Sequence, residues 1–479
     1  MLYYVFQQYK FIYKVKFTSP MKMIDWKKLF GITVFTGCFG IVSWMFCYRI
    51  SLTRIAEMVE RHGYELPFYF GLTVAVLTAG FMLFQAILVC FYKPASRWPA
   101  DRPLPGCTVI VPAYNEGSAV ADTLRSLLKS DYPADKLEII AINDGSKDDT
   151  WNWIKLAAGE SNGLIRAINL EKNGGKKAAL YRGFHEAKHE LVITIDSDSI
   201  VESSTIANLV LPFADSKVGG AAGTVRVANI NQGFIPKMLD IFFVFSCDFL
   251  RCGQSTIGAV LCSPGAISAF RKSALLPHLD MWLNQTFCGL PSHIGEDRAL
   301  TSILLRNGYH VVLQKEAQIT TNVPTDYPQL CRTLIRWTRG DVREGLLMCQ
   351  HFFRTFPKSW RIAALQLNLI FQLSGLILPL CSIPVLFWLI IFEPETLPML
   401  GAYAIAICWL WATIPALLYA EKESPLKAVL AFGVGLFNLV ALSWICAYSW
   451  ITMRNSKWMT REVKKENSSG IASSSPRIS

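Results

Sequence analysis

"LVITIDSDSI", residues 191–200, is an apolar run that stops at two aspartates separated by one serine. A short continuous apolar run rich in β-branched residues is what a fully buried strand looks like. The two carboxylates at its exit have two readings. Asp and Ser favour turns through their own side-chain hydrogen bonds, and hard divalent cations take carboxylate oxygens as ligands.

Working outward, runs of the same kind alternate with helical patterns from about residue 104 to 358: "CTVIVPAYNE", "GSAVADTLRSLLKS", "LEIIAINDGS", "LIRAINL", "KKAALYRGFHEAKH" and "ELVITIDSDS". Near-continuous apolar strands alternating with helices imply a mostly parallel sheet covered on both faces. The stretch has the length of one large α/β domain. Ligands of such sheets bind at the C-terminal ends of the strands. Polar residues concentrate there: "VPAYNE" (111–116), "NDGS" (143–146), "NGGKKAA" (173–179) and "DSDS" (196–199), followed by "GEDRALT" (295–301) and "RWTRG" (336–340).

The 479 residues are 52% hydrophobic and only 17% charged, which favours one domain plus a membrane region over several soluble domains. Apolar runs at 29–48 and 67–92 each reach the ~20 residues that span hydrocarbon. Three more lie at 362–392, 398–420 and 425–453. The chain thus divides into an N-terminal cytosolic segment (1–28), two transmembrane helices (29–103), the α/β domain with interfacial helices (104–358), late transmembrane or re-entrant helices (359–453), and a basic cytosolic end with a disordered tail (454–479).

Lys10, Lys14, Lys16, Lys22, Lys27 and Lys28 precede the first run, and "YKPASRWPADR" follows the second, so the central domain is expected in the cytosol. The final "RNSKWMTREVKK" is also basic, and three full late spans would put it outside. Either one late segment is re-entrant or interfacial, the preferred reading, or the 362–392 run is broken near Pro379 and Pro384. The +11 charge suits phosphates and lipid headgroups. The 13 cysteines, scattered with no C-x-x-C pair, read as reduced small hydrophobes. The start, "MLYYVFQQYKFIYKVKF", lacks a signal peptide's apolar core and cleavage site, and Met21 and Met23 are alternative starts.

The six polar clusters in order, ahead of membrane helices, resemble the family 2 glycosyltransferases of GT-A fold, and specifically their processive membrane-embedded polysaccharide synthases. "RWTRGDVRE" together with "WMTR" (458–461) looks most like hyaluronan, chitooligosaccharide and poly-N-acetylglucosamine synthases. The resemblance implies an α/β domain inserted between membrane helices in the plasma or inner membrane. It also implies a UDP-sugar donor, UDP-N-acetylglucosamine first, a growing polysaccharide as second partner, a Mg²⁺ or Mn²⁺ cofactor, and no nucleic-acid partner. A non-processive enzyme acting on a lipid acceptor is the alternative.

Residue by residue, the resemblance places Asp198 on the metal and Asp196 nearer the nucleotide. Asp144 contacts the uridine, Ala113 and Tyr114 border the uracil, and Glu116 bonds its edge. Lys176 pairs with a phosphate, although "NGGKK" lacks the G-x-x-x-x-G-K-[ST] spacing of a Walker loop. Asp297 is the general base. Arg336 offers a fork to the diphosphate, and Trp337 a flat face to the acceptor sugar, with Glu296 and Ser263 also on the acceptor side. Thr333 stands where the family's Q-x-x-R-W motif has Gln. Trp458 and Thr460 resemble a gating motif and Arg461 a nucleotide contact, with Met459 replacing the family's Gly.

"HEAKH" (185–189) matches the H-E-x-x-H helix motif of zinc proteases. It lies at a helix end that runs straight into "LVITID", with no companion third ligand, so a surface turn is the preferred reading.

Overall fold

The computed structural model describes residues 65–392, 394, 397–422 and 425–455. After helix α1 (Glu65–Cys90), the four runs read as strands form β1 (Cys107–Ala113), β2 (Leu137–Asp144), β3 (Ile165–Leu170) and β4 (Leu191–Ile195). They lie parallel in the order β3-β2-β1-β4. Every residue of β1, β2 and β4 is buried, which is why their sequences show no polar alternation.

Successive side chains still point to opposite faces. Val109, Val111, Ile139, Ala141 and Ile193 join an apolar cluster with α2 (Ala119–Leu128) and α3 (Thr150–Glu160). Ile110, Ile140, Ile142 and Val192 join a second cluster with α4 (Lys176–Glu186). Helix α4 sits close enough that a Cβ on Gly183 would lie 2.6 Å from Ile110 Cγ2. Gly183→Val is therefore expected to cost about 1–3 kcal/mol by overpacking, read as a lower unfolding temperature. Gly183→Ala should cost less, because better helix propensity returns up to ~1 kcal/mol.

The other half of the sheet comes from β5 (Ser199–Val201), β6 (Val218–Val227), β7 (Ile267–Arg271) and β10 (His310–Thr321), which continue the order as β4-β7-β6-β10-β5. Here β7 is antiparallel to both β4 and β6, and β5 is antiparallel to β10. A separate hairpin pairs β8 (Thr286–Phe287) with β9 (Leu290–Pro291).

Beyond β4 the chain also forms α5 (Phe234–Phe245), α6 (Glu296–Arg306), α7 (Tyr327–Phe352), α8 (Trp360–Phe392) and α9 (Leu397–Lys422). Helices α5 and α7 pack their apolar faces, including Met238, Leu330 and Ile335, against Tyr419 of α9 and Ile445. A charged tie adds to this. Buried Asp248 pairs with Lys315 of β10 at 3.2 Å and with Lys422 at the end of α9.

Among the described residues, α8 is long and apolar enough to cross a membrane by length and composition. It runs through Pro379 and Pro384 as one helix, so the alternative break at those prolines is absent. The last apolar segment is bent instead: Leu430–Leu442 meets Trp444–Ile451 at 44°, as in a broken span or a re-entrant loop. Counted as one span, that pair makes a second. The 29–48 run lies outside the described residues.

Candidate active site

The parallel strands β1, β2 and β4 end side by side and open onto a cavity of about 260 Å³ lined by Pro112, Ala113, Tyr114, Asp144, Asn173, Gly174, Gly175, Lys176, Lys177, Asp196 and His293. Its first wall is a pair of laced turns. Past β1, the Asn115 and Glu116 N–H groups donate to Ser146 Oγ (3.0 Å) and Thr150 Oγ1 (2.8 Å). At the end of β2, Gly145 holds φ +66°, and a Cβ there would lie 2.5 Å from the Asn173 nitrogen, so only glycine fits. That close approach lets Gly174 N–H donate to Asp144 Oδ1 at 2.9 Å. Burial raises the Asp144 carboxyl, and the Gly174 and Gly175 N–H groups oppose the rise.

Lys176, the first residue of α4, reaches across to Asp196 Oδ1 at 2.5 Å and Glu296 Oε1 at 3.2 Å. Burial pulls its ammonium down, but Asp196, Glu296 and Asp297 outweigh that and hold it above the usual lysine range. Asp297 lies in the first turn of α6, where the helix dipole favours an acid. Its Oδ1 accepts the Arg298 N–H at 2.8 Å. Burial and the neighbouring Glu296 still push its carboxyl up, against the pull of Lys176 and Arg298. Gly265 closes this corner: a Cβ on it would stand 3.1 Å from Lys176 Nζ and 3.2 Å from Asp297 Oδ2.

Of the sequence-predicted residues, Ala113, Tyr114, Asp144, Lys176 and Asp196 share one cavity, and Glu296 and Asp297 stand against Lys176. Glu116, Asp198, Ser263, Arg336 and Trp337 do not line it. Glu116 Oε1 accepts from the Ser197 hydroxyl at 3.0 Å, which ties it to the serine between the two aspartates. Asp198 Oδ1 receives Thr321 Oγ1 at 3.5 Å. Ser263 is fully buried, and its N–H donates to Thr301, whose hydroxyl donates to the Asp297 carbonyl. Trp337 is half-buried with its ring 6.1 Å from Phe243. Trp458, Thr460 and Arg461 lie outside the described residues.

Lys177 and His293 also line the cavity, beyond the residues the sequence motifs point to. Lys177 follows Lys176 in "NGGKK", so one motif carries both lysines. His293 carries no local signal, because only the return of the chain before α6 brings it to the strand ends. The zinc motif is not formed. Helix α4 ends at Glu186, so His189 falls beyond it, and Glu186 pairs with Arg166 (2.7 Å) and Arg182 (2.6 Å).

A mostly parallel α/β sheet whose strand ends open onto a cavity walled by carboxylates and lysines defines a nucleotide-sugar transferase fold of GT-A type. Residues 108–277 match the Glycosyl transferase family 2. An N-acetylglucosaminyltransferase of Mesorhizobium japonicum is 31% identical over 367 residues, 76% of this chain and 83% of that protein. One of Rhizobium meliloti is 30% identical over 361 residues, 75% and 82% of the two chains. The chain belongs to family 2 of the glycosyltransferases and is a glycosyltransferase. Among solved structures, the mannosyltransferase PcManGT of Pyrobaculum calidifontis, in complex with GDP-Man and Mn²⁺, aligns with a TM-score of 0.49 and 21% identity over 74% of this chain and 97% of that one.

Proposed function

We propose that the protein is an inverting, metal-dependent enzyme that polymerises a polysaccharide from UDP-N-acetylglucosamine at the cytosolic face of the plasma or inner membrane and passes the product through its apolar helices. The observation that carries this reading is the cluster of Lys176 with Asp196, Glu296 and Asp297 beside the strand-end cavity. The relatives named N-acetylglucosaminyltransferases support the sugar. Helix α8 and the bent pair after α9 support the membrane setting.

The charge of the site argues for a cation. Asp144, Asp196, Glu296 and Asp297 outnumber Lys176 and Lys177, so a diphosphate meets an excess of like charge. Asp196 and Asp198 offer hard oxygen donors of the kind Mg²⁺ and Mn²⁺ accept. Among the described residues no three acidic, His or Cys side chains group closely enough to hold a metal ion. A cation bound by one or two carboxylates plus donor phosphates and water fits that donor set. When bound, it neutralises charge on the departing diphosphate.

Asp144 and the Tyr114 wall hold the nucleoside side, and Lys176 turns from its carboxylates to a phosphate. Asp297 takes the proton of the acceptor hydroxyl. One base with no protein nucleophile gives inversion by in-line attack. Arg336 and Trp337 serve the diphosphate and the acceptor sugar. Trp337, packed beside Phe243 rather than in the cavity, is the observation favouring the second reading, a single transfer to a lipid acceptor.

The test is to supply the protein in vesicles with labelled UDP-sugars, singly and in pairs, plus Mg²⁺ or Mn²⁺, and to size the product. High polymer is expected, with UDP-N-acetylglucosamine required. A product one sugar longer than a lipid acceptor would select the second reading, and no transfer from any UDP-sugar would overturn both. His185→Ala should leave the product unchanged.

A further inference from the structure

The general base stands against Lys176, beside the cavity, on a weakly built piece of chain. The hairpin β8–β9 has two-residue strands, and its turn holds Cys288 and Gly289 at φ +49° and +77°. The segment 292–295 then enters α6 through Gly295 at φ +79°. Two-stranded hairpins are marginal by themselves, yet Glu296 and Asp297 must be held to within a fraction of an ångström for proton transfer.

Three buried side chains hold this segment, two of them, Lys177 and Arg343, from elements distant in the chain. Lys177 Nζ donates to the Ser292 carbonyl at 3.0 Å and lies 5.2 Å from the centre of the Trp282 ring. Trp282 Nε1 donates to the Glu296 carbonyl at 3.2 Å. Arg343 Nη1 donates to Ser292 Oγ at 3.3 Å, while its Nε and Nη2 hold the carbonyls of Met453 (2.7 Å) and Asn455 (2.8 Å). Lys177, Ser292 and Arg343 are each under 5% exposed. Two buried cations converging on one serine are costly to desolvate, and packing alone would be served by apolar residues.

We propose that Lys177 and Arg343 are positioning residues for sugar transfer, gripping Ser292 from α4 and α7 so that Glu296 and Asp297 stay registered against Lys176 and the donor cavity. Lys177 joins the donor wall to the base segment. Arg343 joins the base segment to the chain at 453–455. The inference rests on Asp297 being the general base.

Ser292→Ala removes one hydroxyl and one grip, Ser292→Thr keeps the hydroxyl, and Lys177→Met removes the other grip with little change in volume. With the full chain in vesicles, labelled UDP-N-acetylglucosamine and Mg²⁺, Ser292→Ala and Lys177→Met are each expected to lower kcat by roughly 10²-fold, as misplacement of a reacting group does. In Ser292→Ala the donor KM should move less than about threefold, and Ser292→Thr should restore most of kcat. A merely structural role would lower the unfolding temperature without that split or that rescue. Wild-type kcat in Ser292→Ala, or a rise in KM matching the fall in kcat, would overturn the proposal. Should Lys177→Met not fold, Ser292→Ala and Ser292→Thr decide the question. An Asp297→Asn enzyme that still transfers sugar would instead overturn the reading of the base, so the two failures are distinguishable.

Discussion

Replacing Asp297 with asparagine is expected to lower kcat for sugar transfer by roughly 10²- to 10⁴-fold, the contribution of a positioned general base, while donor binding changes little. Three features lead there. The carboxyl sits at the N-terminus of α6, within reach of the corner formed by Gly265 and Lys176. Its surroundings raise its pKa above that of an ordinary aspartate through burial and Glu296, which makes it a stronger base once ionised. Asparagine keeps the shape and can still accept the Arg298 N–H, so the fold should persist. Lys176 keeps Asp196 and Glu296 as partners, so the donor side keeps its charge arrangement.

The raised carboxyl also sets a sign. As pH falls through it the base is protonated and activity is lost, so the acid limb of the kcat profile should lie above the usual carboxylate range. That limb should vanish from whatever activity Asp297→Asn retains. Unchanged turnover in the variant would remove Asp297 from the chemistry.

How much of this was legible in the sequence depends on which half of the sheet is considered. β1, β2 and β4 are buried on both faces, so each is a largely apolar run; β2 and β4 lead into Asp144 and Asp196 of the cavity wall, and β1 into Pro112, Ala113 and Tyr114. The second half hides itself. β6 reads "VGGAAGTVRV", and its glycines accept neighbours at distances no side chain allows: a Cβ on Gly223 would lie 2.8 Å from the Ala317 carbonyl. β10 mixes Gln314, Lys315 and Glu316 into its length, as suits a strand with register shifts against β6. In the site, Asp144, Lys176 and Asp196 follow from strand ends. Lys177, Trp282, His293 and Arg343 depend on the hairpin and α7 folding back over those ends, which no local pattern encodes. Glu116, a motif residue beside β1, accepts a hydrogen bond from Ser197, which ties the first strand-end motif to the segment between Asp196 and Asp198.

Asp196 and Asp198, two residues apart at the end of β4, should fail in different ways when neutralised. Chelation is expected to abolish transfer, and Mn²⁺ or Mg²⁺ to restore it. Asp198→Asn should raise the metal concentration for half-maximal rate by more than about tenfold, since even loss of an outer partner of a metal ligand costs 10–100-fold. Asp198 does not line the cavity, and its carboxylate sits beside Thr321 at the edge of β5, so its loss leaves the Lys176 pairing in place. Asp196→Asn removes the ion pair to Lys176 at 2.5 Å, a half-buried cation then left with Glu296 at 3.2 Å and Asp297 nearby. Losing the first of its stabilising carboxylates should let burial pull the Lys176 ammonium down. Asp196→Asn should therefore weaken binding of the donor diphosphate as well as metal, and excess Mn²⁺ should not rescue it, whereas excess Mn²⁺ should rescue Asp198→Asn. Titrating metal at several fixed donor concentrations separates the two. Equal rescue of both variants would mean the aspartates do the same work, and full activity in a chelator would mean that neither holds a metal.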